Sequence, residues 1–128
     1  MIKKLRISNF ALIEHLELDL KNGFTIVTGE TGSGKSILLN AFSLMLGERA
    51  SSSVVGNYSN KAVVEFHLTN EAQDKVFFGK HQLDFDEPTI LRREVVKDGK
   101  SRVFINDTPV SLAVLREFTT HKLLIHSQ

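Results

Sequence analysis

Residues 29–36 read Gly29-Glu30-Thr31-Gly32-Ser33-Gly34-Lys35-Ser36 and fit the spacing G-x-x-x-x-G-K-[ST]. Each residue type suits one chemical task, the holding of a polyphosphate. Gly32 and Gly34 let the backbone wrap closely, so that several N–H groups converge on phosphate oxygens. A helix starting near Lys35 would aim its N-terminus at the same charge. Lys35 reaches the β and γ phosphates, and the Ser36 hydroxyl is a ligand for a Mg²⁺ that bridges them. A nucleoside triphosphate with its Mg²⁺ is therefore the expected ligand. Hydrolysis further needs a carboxylate for the metal and a group that orients water. No apolar run in the chain ends in an acidic pair. Glu65 and Glu94 fall within predicted strands, and Asp98 and Asp107 in predicted turns. These read as solvated or turn-forming side chains, so the sequence predicts half of a catalytic site.

The motif needs a strand before it and a helix after it. Phe24–Thr28 (FTIVT) is short, β-branched and apolar, as for a strand covered on both faces, and Lys21-Asn22-Gly23 is a turn ahead of it. From Lys35 the apolar residues Leu38, Leu39, Phe42 and Leu46, thickened by Ile37 and Met45, predict a helix over about 35–46 that Gly47 stops. Upstream, 2–8 and 12–20 alternate as two half-buried strands able to pair antiparallel. Downstream, 48–60 reads as a polar loop, 61–68 as a strand and 70–80 as a short helix. The runs 89–96 and 101–105 flank Asp98-Gly99, a strong hairpin signal. Asn106-Asp107-Thr108-Pro109 is a further turn, Ser111 caps a helix running to about Thr120, and Leu123–Ile125 form a last apolar run read as a strand. A strand so near the last residue predicts a piece of a longer chain. The expected fold class is α/β, with a mixed sheet and an antiparallel β region.

The chain has 128 residues, the length of one ordinary domain, and 41% hydrophobic residues, enough for a core. It has no cysteine, which excludes disulfides and thiolate metal sites. The five histidines, His15, His67, His81, His121 and His126, have no short metal-ligand spacing. A formal charge of +1 gives no general pull toward nucleic acid. Local basic residues remain: Lys3, Lys4, Arg6, Arg92, Arg93, Lys97, Lys100 and Arg102 lie on or beside β elements. They would form either a basic face for a phosphate backbone or ordinary solvated positions on an open sheet. No run approaches a membrane span and the N-terminus lacks the apolar stretch of a signal peptide, so the cytoplasm is the default.

The segments LRISNFALIEHLELDL, GFTIVTGETGSGKSILLNAFSLMLGERA, LRREVVKDGKSRVFINDTPVSLAVLRE and LLIHSQ, in this order, resemble the bacterial RecN family of DNA repair proteins, relatives of the structural maintenance of chromosomes (SMC) ATPases. The phosphate loop alone is shared with many ATPases. Its combination with ISNFALI, GERA and GKSRVFIND is far more specific. The resemblance implies a P-loop NTPase fold of the ABC/SMC head type, with this chain its N-terminal lobe. It also implies a long coiled coil and a C-terminal lobe elsewhere, which supplies the signature motif, the Mg²⁺ carboxylate and the catalytic glutamate. The implied partners are that C-terminal lobe, a second head in a homodimer and DNA, with no membrane, in a cytoplasmic, nucleoid-associated protein. Gln128 falls on the family's glutamine that approaches Mg²⁺ and the γ phosphate. Arg49, in GERA, resembles an arginine near the nucleotide that is linked to DNA sensing in relatives. Asn9, in Ser8-Asn9-Phe10, resembles a turn near base and phosphates, while Phe10 fits either the core or base stacking. The implied function is ATP binding in recombinational repair of DNA double-strand breaks. The alternatives are a stand-alone nucleotide-binding regulatory module, or a head lobe of another SMC-like or ABC-type ATPase; the transporter class is disfavoured by SNFALI and SRVFIND.

Overall fold

The computed structural model describes residues 2–20 and 32–124, with side chains over 36–122 in the second stretch. The expected strand at 24–28, the turn at 21–23, and Gly29, Glu30, Thr31 and Gln128 lie outside the described residues. The strands are β1 (Ile2–Phe10), β2 (Ile13–Asp19), β3 (Lys61–Leu68), β4 (Thr89–Val96), β5 (Ser101–Ile105) and β6 (Thr108–Val110). The helices are α1 (Gly32–Met45), α2 (Asp74–Lys80) and α3 (Leu112–Thr119).

The 6 strands form one sheet in the order β2-β1-β3-β4-β5-β6. Every pairing among the described residues is antiparallel. The expected mixed sheet needed a parallel strand, and its candidate at 24–28 lies outside these residues. Period-2 alternation puts Leu5 and Ile7, Val64 and Phe66, Leu91 and Val95, and Val103 and Ile105 in one buried cluster. The helices complete that cluster with Ile37, Ala41, Leu44 and Met45 from α1, Phe78 from α2, and Leu115 and Phe118 from α3. Edge-to-face contact of Phe42 with Phe66, at 5.0 Å between ring centres, ties α1 to the middle of the sheet.

The short-range signals hold. Gly99 takes φ 93° in the turn between β4 and β5. Asn106 (φ 49°) and Asp107 (φ 67°) make a two-residue turn of the kind that matches strand twist. Thr108 and Pro109, expected in that turn, instead begin β6. Ser111 caps α3 by accepting from the Val114 N–H at 3.2 Å.

Three expectations change. The helix after the phosphate motif begins at Gly32, three residues before Lys35. Its first N–H groups have no intrahelical acceptor, so a helical turn here still presents donors to an anion. Its buried stripe is Ile37, Ala41, Leu44 and Met45, whereas Leu39, expected to face the core, is 60% exposed. The segment ILLNAFSLML offers several stripes of similar hydrophobicity, and the partners on β4 and α3 choose among them. The last apolar run is not a strand as far as it is described: Thr120–Leu124 forms a π-helical turn continuing α3, and Ile125 lies outside the described residues. The expectation of a strand near residue 125 is therefore corrected at Leu123 and Leu124.

Candidate nucleotide site

Of the eight motif residues, Gly32, Ser33, Gly34, Lys35 and Ser36 form the opening of α1, and Ser36 is exposed there. Ser36, Leu39, Asn40 and Ser43 follow one another along the solvent side of the helix. No group of three or more histidine or acidic side chains among the described residues is placed to hold a metal by itself. A metal at Ser36 would have that hydroxyl as one of its ligands. A helix N-terminus beside an exposed hydroxyl suits an anion with its cation.

The far end of α1 is fixed by two arginines. Arg93, on the same face of β4 as Leu91 and Val95, is 2% exposed. Its Nη1 donates to the carbonyl of Leu44 at 2.7 Å and to that of Glu48, and its Nε donates to Ser101 Oγ at 3.2 Å. Arg116 of α3 donates from Nε to the Gly47 carbonyl at 3.0 Å. Burial, then the charge of Arg116, pushes the Arg93 guanidinium below its ordinary value. Gly47 has φ 94°, and a Cβ there would stand 2.1 Å from Arg116 Cγ, so glycine is needed for both backbone and contact. Glu48 and Arg49 leave from this clamp, and Arg49 is exposed, making no hydrogen bond or ion pair with Ser36.

Asn9 is built in as a structural staple. It is 3% exposed, with φ 50°. Its Nδ2 donates to the carbonyls of Ser59 and Lys61, both at 3.0 Å, and its Oδ1 accepts from Tyr58 N–H at 2.9 Å. Both amide hydrogens are spent on the loop that follows α1, so none is left for a base or phosphate. Phe10 is fully buried in the core and cannot stack on a base.

The basic residues on and beside the β elements are largely neutralised. Across the outer side, Glu17, Arg6, Glu65, Arg92, Phe104 and Pro109 stand opposite one another in register on the 6 strands. Arg6 lies 3.8 Å from Glu17 and 3.6 Å from Glu65. Arg92 pairs with Glu94 at 3.3 Å and Asp107 at 3.1 Å and lies over the Phe104 ring at 4.3 Å. Lys4 meets Glu17 at 3.2 Å, Lys100 lies 4.0 Å from Asp98, and Arg93 points inward. Lys3, Lys97 and Arg102, like the buried Arg93, have no ion pair among the described residues. The hydrogen bond and charge of Lys4, ahead of Arg6 and His15, hold the exposed Glu17 carboxyl below the usual carboxylate range. Lys4→Met should raise the Glu17 pKa toward its ordinary value, visible in the side-chain carboxyl ¹³C shift across an acid titration. An unchanged midpoint would show that the pair does not form in solution.

Sequence reasoning missed two constellations. One is the Arg93–Arg116 clamp. The other is Lys122, 3% exposed in the π turn, whose Nζ reaches Asp74 Oδ2 at 2.8 Å, Glu71 Oε1 at 3.1 Å and the Thr69 carbonyl at 3.3 Å. The alternation of TILRREVV, which puts Arg93 in phase with Leu91 and Val95, was the one available signal for the first.

The AAA domain family model matches residues 4–128. The chain belongs to the AAA domain family. Over 130 residues this AAA domain is 40% identical to the DNA repair protein RecN of Vibrio cholerae, covering 100% of this chain and 24% of that protein. It thus spans about a quarter of the length of the curated relative it matches. It is similar to a structure solved in work on ATP-driven dimerization and DNA-stimulated activation of SMC ATPases, with TM-score 0.73, 24% identity, and coverage of 93% of this chain and 77% of that one. It is also similar to the Smc head domain of Pyrococcus furiosus bound to the C-terminal domain of ScpA, with TM-score 0.74, 23% identity, and coverage of 93% and 32%. The fold of this AAA domain is that of P-loop ATPase heads of the SMC type. No helix among the described residues is long and apolar enough to cross a membrane.

Proposed function

We propose that this chain is the ATP-binding N-terminal lobe of the head of a RecN-like protein acting in recombinational repair of DNA double-strand breaks. The observation that carries the reading is the phosphate motif opening α1 of a head-type fold, in a chain 40% identical to a DNA repair protein RecN. The first turn of α1 supplies backbone donors to the β phosphate, Lys35 neutralises charge on the β and γ phosphates, and Ser36 holds the cation side. Mg²⁺, held on the Ser36 side, would supply charge neutralisation for the triphosphate. In the longer protein, a C-terminal lobe would bring the missing carboxylates, a second head would complete the nucleotide sandwich, and DNA would be the target in a cytoplasmic, nucleoid-associated setting. Gln128 and Arg49 belong to the proposed nucleotide site as further contacts. Asn9 acts there only indirectly, by holding the loop after α1.

Calorimetric titration with ATP and with AMP tests the reading, because the phosphate loop acts on groups that AMP lacks. ATP should bind in the presence of Mg²⁺ and AMP at least tenfold more weakly. Equal affinities would place the recognition outside the phosphate loop. The same chain should release no phosphate over multiple turnovers, since no apolar run of its sequence ends in an acidic pair. Multiple turnovers abolished by Lys35→Ala would show that the chain carries a complete catalytic set.

A further inference from the structure

Among the described residues two cationic side chains are buried, and they are treated differently. Lys122 has two carboxylates at hydrogen-bond distance. Arg93 has none: its donors go to the carbonyls of Leu44 and Glu48 and to the Ser101 hydroxyl. Taking a guanidinium out of water without a counter-charge is costly, and the depressed pKa of Arg93 reflects that. What the charge gains is the negative end of α1, where unpaired carbonyls collect and a cation is favoured. Arg116 brings a second cation to the same place despite the repulsion between the two. Water alone would satisfy the carbonyls of an exposed helix end. Here three elements converge instead: β4 through Arg93, α3 through Arg116, and α1 through Leu44 and the Gly47-Glu48 exit.

We propose that Arg93 and Arg116 are positioning residues of the nucleotide site, fixing the far end of the phosphate-loop helix and, through it, the first turn that faces the triphosphate. This rests on the nucleotide reading above. α1 has 14 residues and no proline, so it behaves as a rod about 21 Å long. A shift or tilt at the Leu44–Glu48 end is carried to Gly32–Ser36, and small displacements of a binding turn weaken binding steeply. The clamp acts through backbone oxygens, so it needs the fork of donors on a guanidinium and not charge alone. Lysine at position 93 keeps the charge but cannot span the Leu44 and Glu48 carbonyls and Ser101 together. Methionine at position 116 keeps the apolar stem and removes the bond to Gly47.

The test compares wild type, Arg93→Lys and Arg116→Met in Mg·ATP titrations, each corrected for its folded fraction by circular dichroism. The ³¹P spectrum of the bound nucleotide is recorded for each. ATP affinity should fall about tenfold in Arg93→Lys and about threefold in Arg116→Met. The bound β-phosphate resonance should move in both, which loss of global stability would not cause. Arg116 is exposed, so its variant keeps the test open if Arg93→Lys fails to fold. Wild-type binding with unchanged affinity and an unchanged bound-state spectrum in the folded variants would overturn the clamp alone. No ATP binding by wild type would overturn the nucleotide reading, and the clamp's role with it.

Discussion

Lys35→Ala should weaken ATP binding by about ten- to a hundredfold while leaving the circular dichroism spectrum unchanged. The size follows from the chemistry lost. A charge-assisted contact to phosphate oxygens is worth roughly 1.5–3 kcal/mol, and each ~1.4 kcal/mol is a factor of ten in affinity. The preserved fold follows from position. Lys35 lies in the first turn of α1, ahead of Ile37, the earliest α1 residue in the core cluster. Ser36→Ala should behave differently, because its hydroxyl serves the cation. Its penalty should be large with Mg²⁺ and small in EDTA. Calorimetry on wild type and both variants, with and without Mg²⁺, separates the two roles. Equal ATP affinity for wild type and folded Lys35→Ala would refute the phosphate assignment. A Ser36→Ala penalty indifferent to Mg²⁺ would refute the metal role and leave the phosphate site standing.

The site was legible where it is local. The phosphate motif runs over consecutive residues, and the helix it opens, the Asp98-Gly99 turn and the Ser111 cap each depend on neighbours in the chain. Elements separated along the sequence were legible only in type. Alternation identifies β1 as a half-buried strand and 61–68 reads as a strand, but nothing local says that the two are neighbours in the sheet. The same gap left the basic residues open between a phosphate-facing patch and ordinary solvated positions. Arg6 reads as a free surface cation until the register places Glu17 and Glu65 opposite it. Arg93 reads as one more basic residue until its strand is packed under α1. Asn9 drew attention through resemblance, yet its partners, Tyr58, Ser59 and Lys61, lie 49 to 52 positions away. Of the apolar residues expected to face the core from α1, Ile37, Leu38, Phe42, Met45 and Leu46 do pack there and Leu39 does not, because a helix so rich in apolar residues does not by itself fix the edge of its buried stripe.

The strongest stability effect should come from Lys122, a residue that no sequence pattern singles out. It sits in the π turn beyond α3, between the end of β3 and the first turn of α2. Its three ammonium hydrogens match three acceptors, Asp74, Glu71 and the Thr69 carbonyl. Asp74 is as buried as its partner, with side-chain exposures of 5% and 3%, and its Oδ2 also accepts from the Glu71 N–H at 2.9 Å. Lys122→Met fills the same path without charge and leaves the Asp74 carboxylate buried with only that N–H. Breaking such a pair from one side costs about 3–5 kcal/mol, or roughly 10–20 °C in Tm for a domain of this size. Removing both charges is gentler, because no ion is then left uncompensated. Lys122→Met with Asp74→Asn should therefore recover at least half of the single-variant loss. Urea denaturation of wild type, both single variants and the double variant measures this directly. Single-variant losses that simply add in the double would show that the two groups do not act as a pair. ATP affinity per folded molecule should stay unchanged in Lys122→Met, since the lock holds α2 to the π turn and touches neither end of α1.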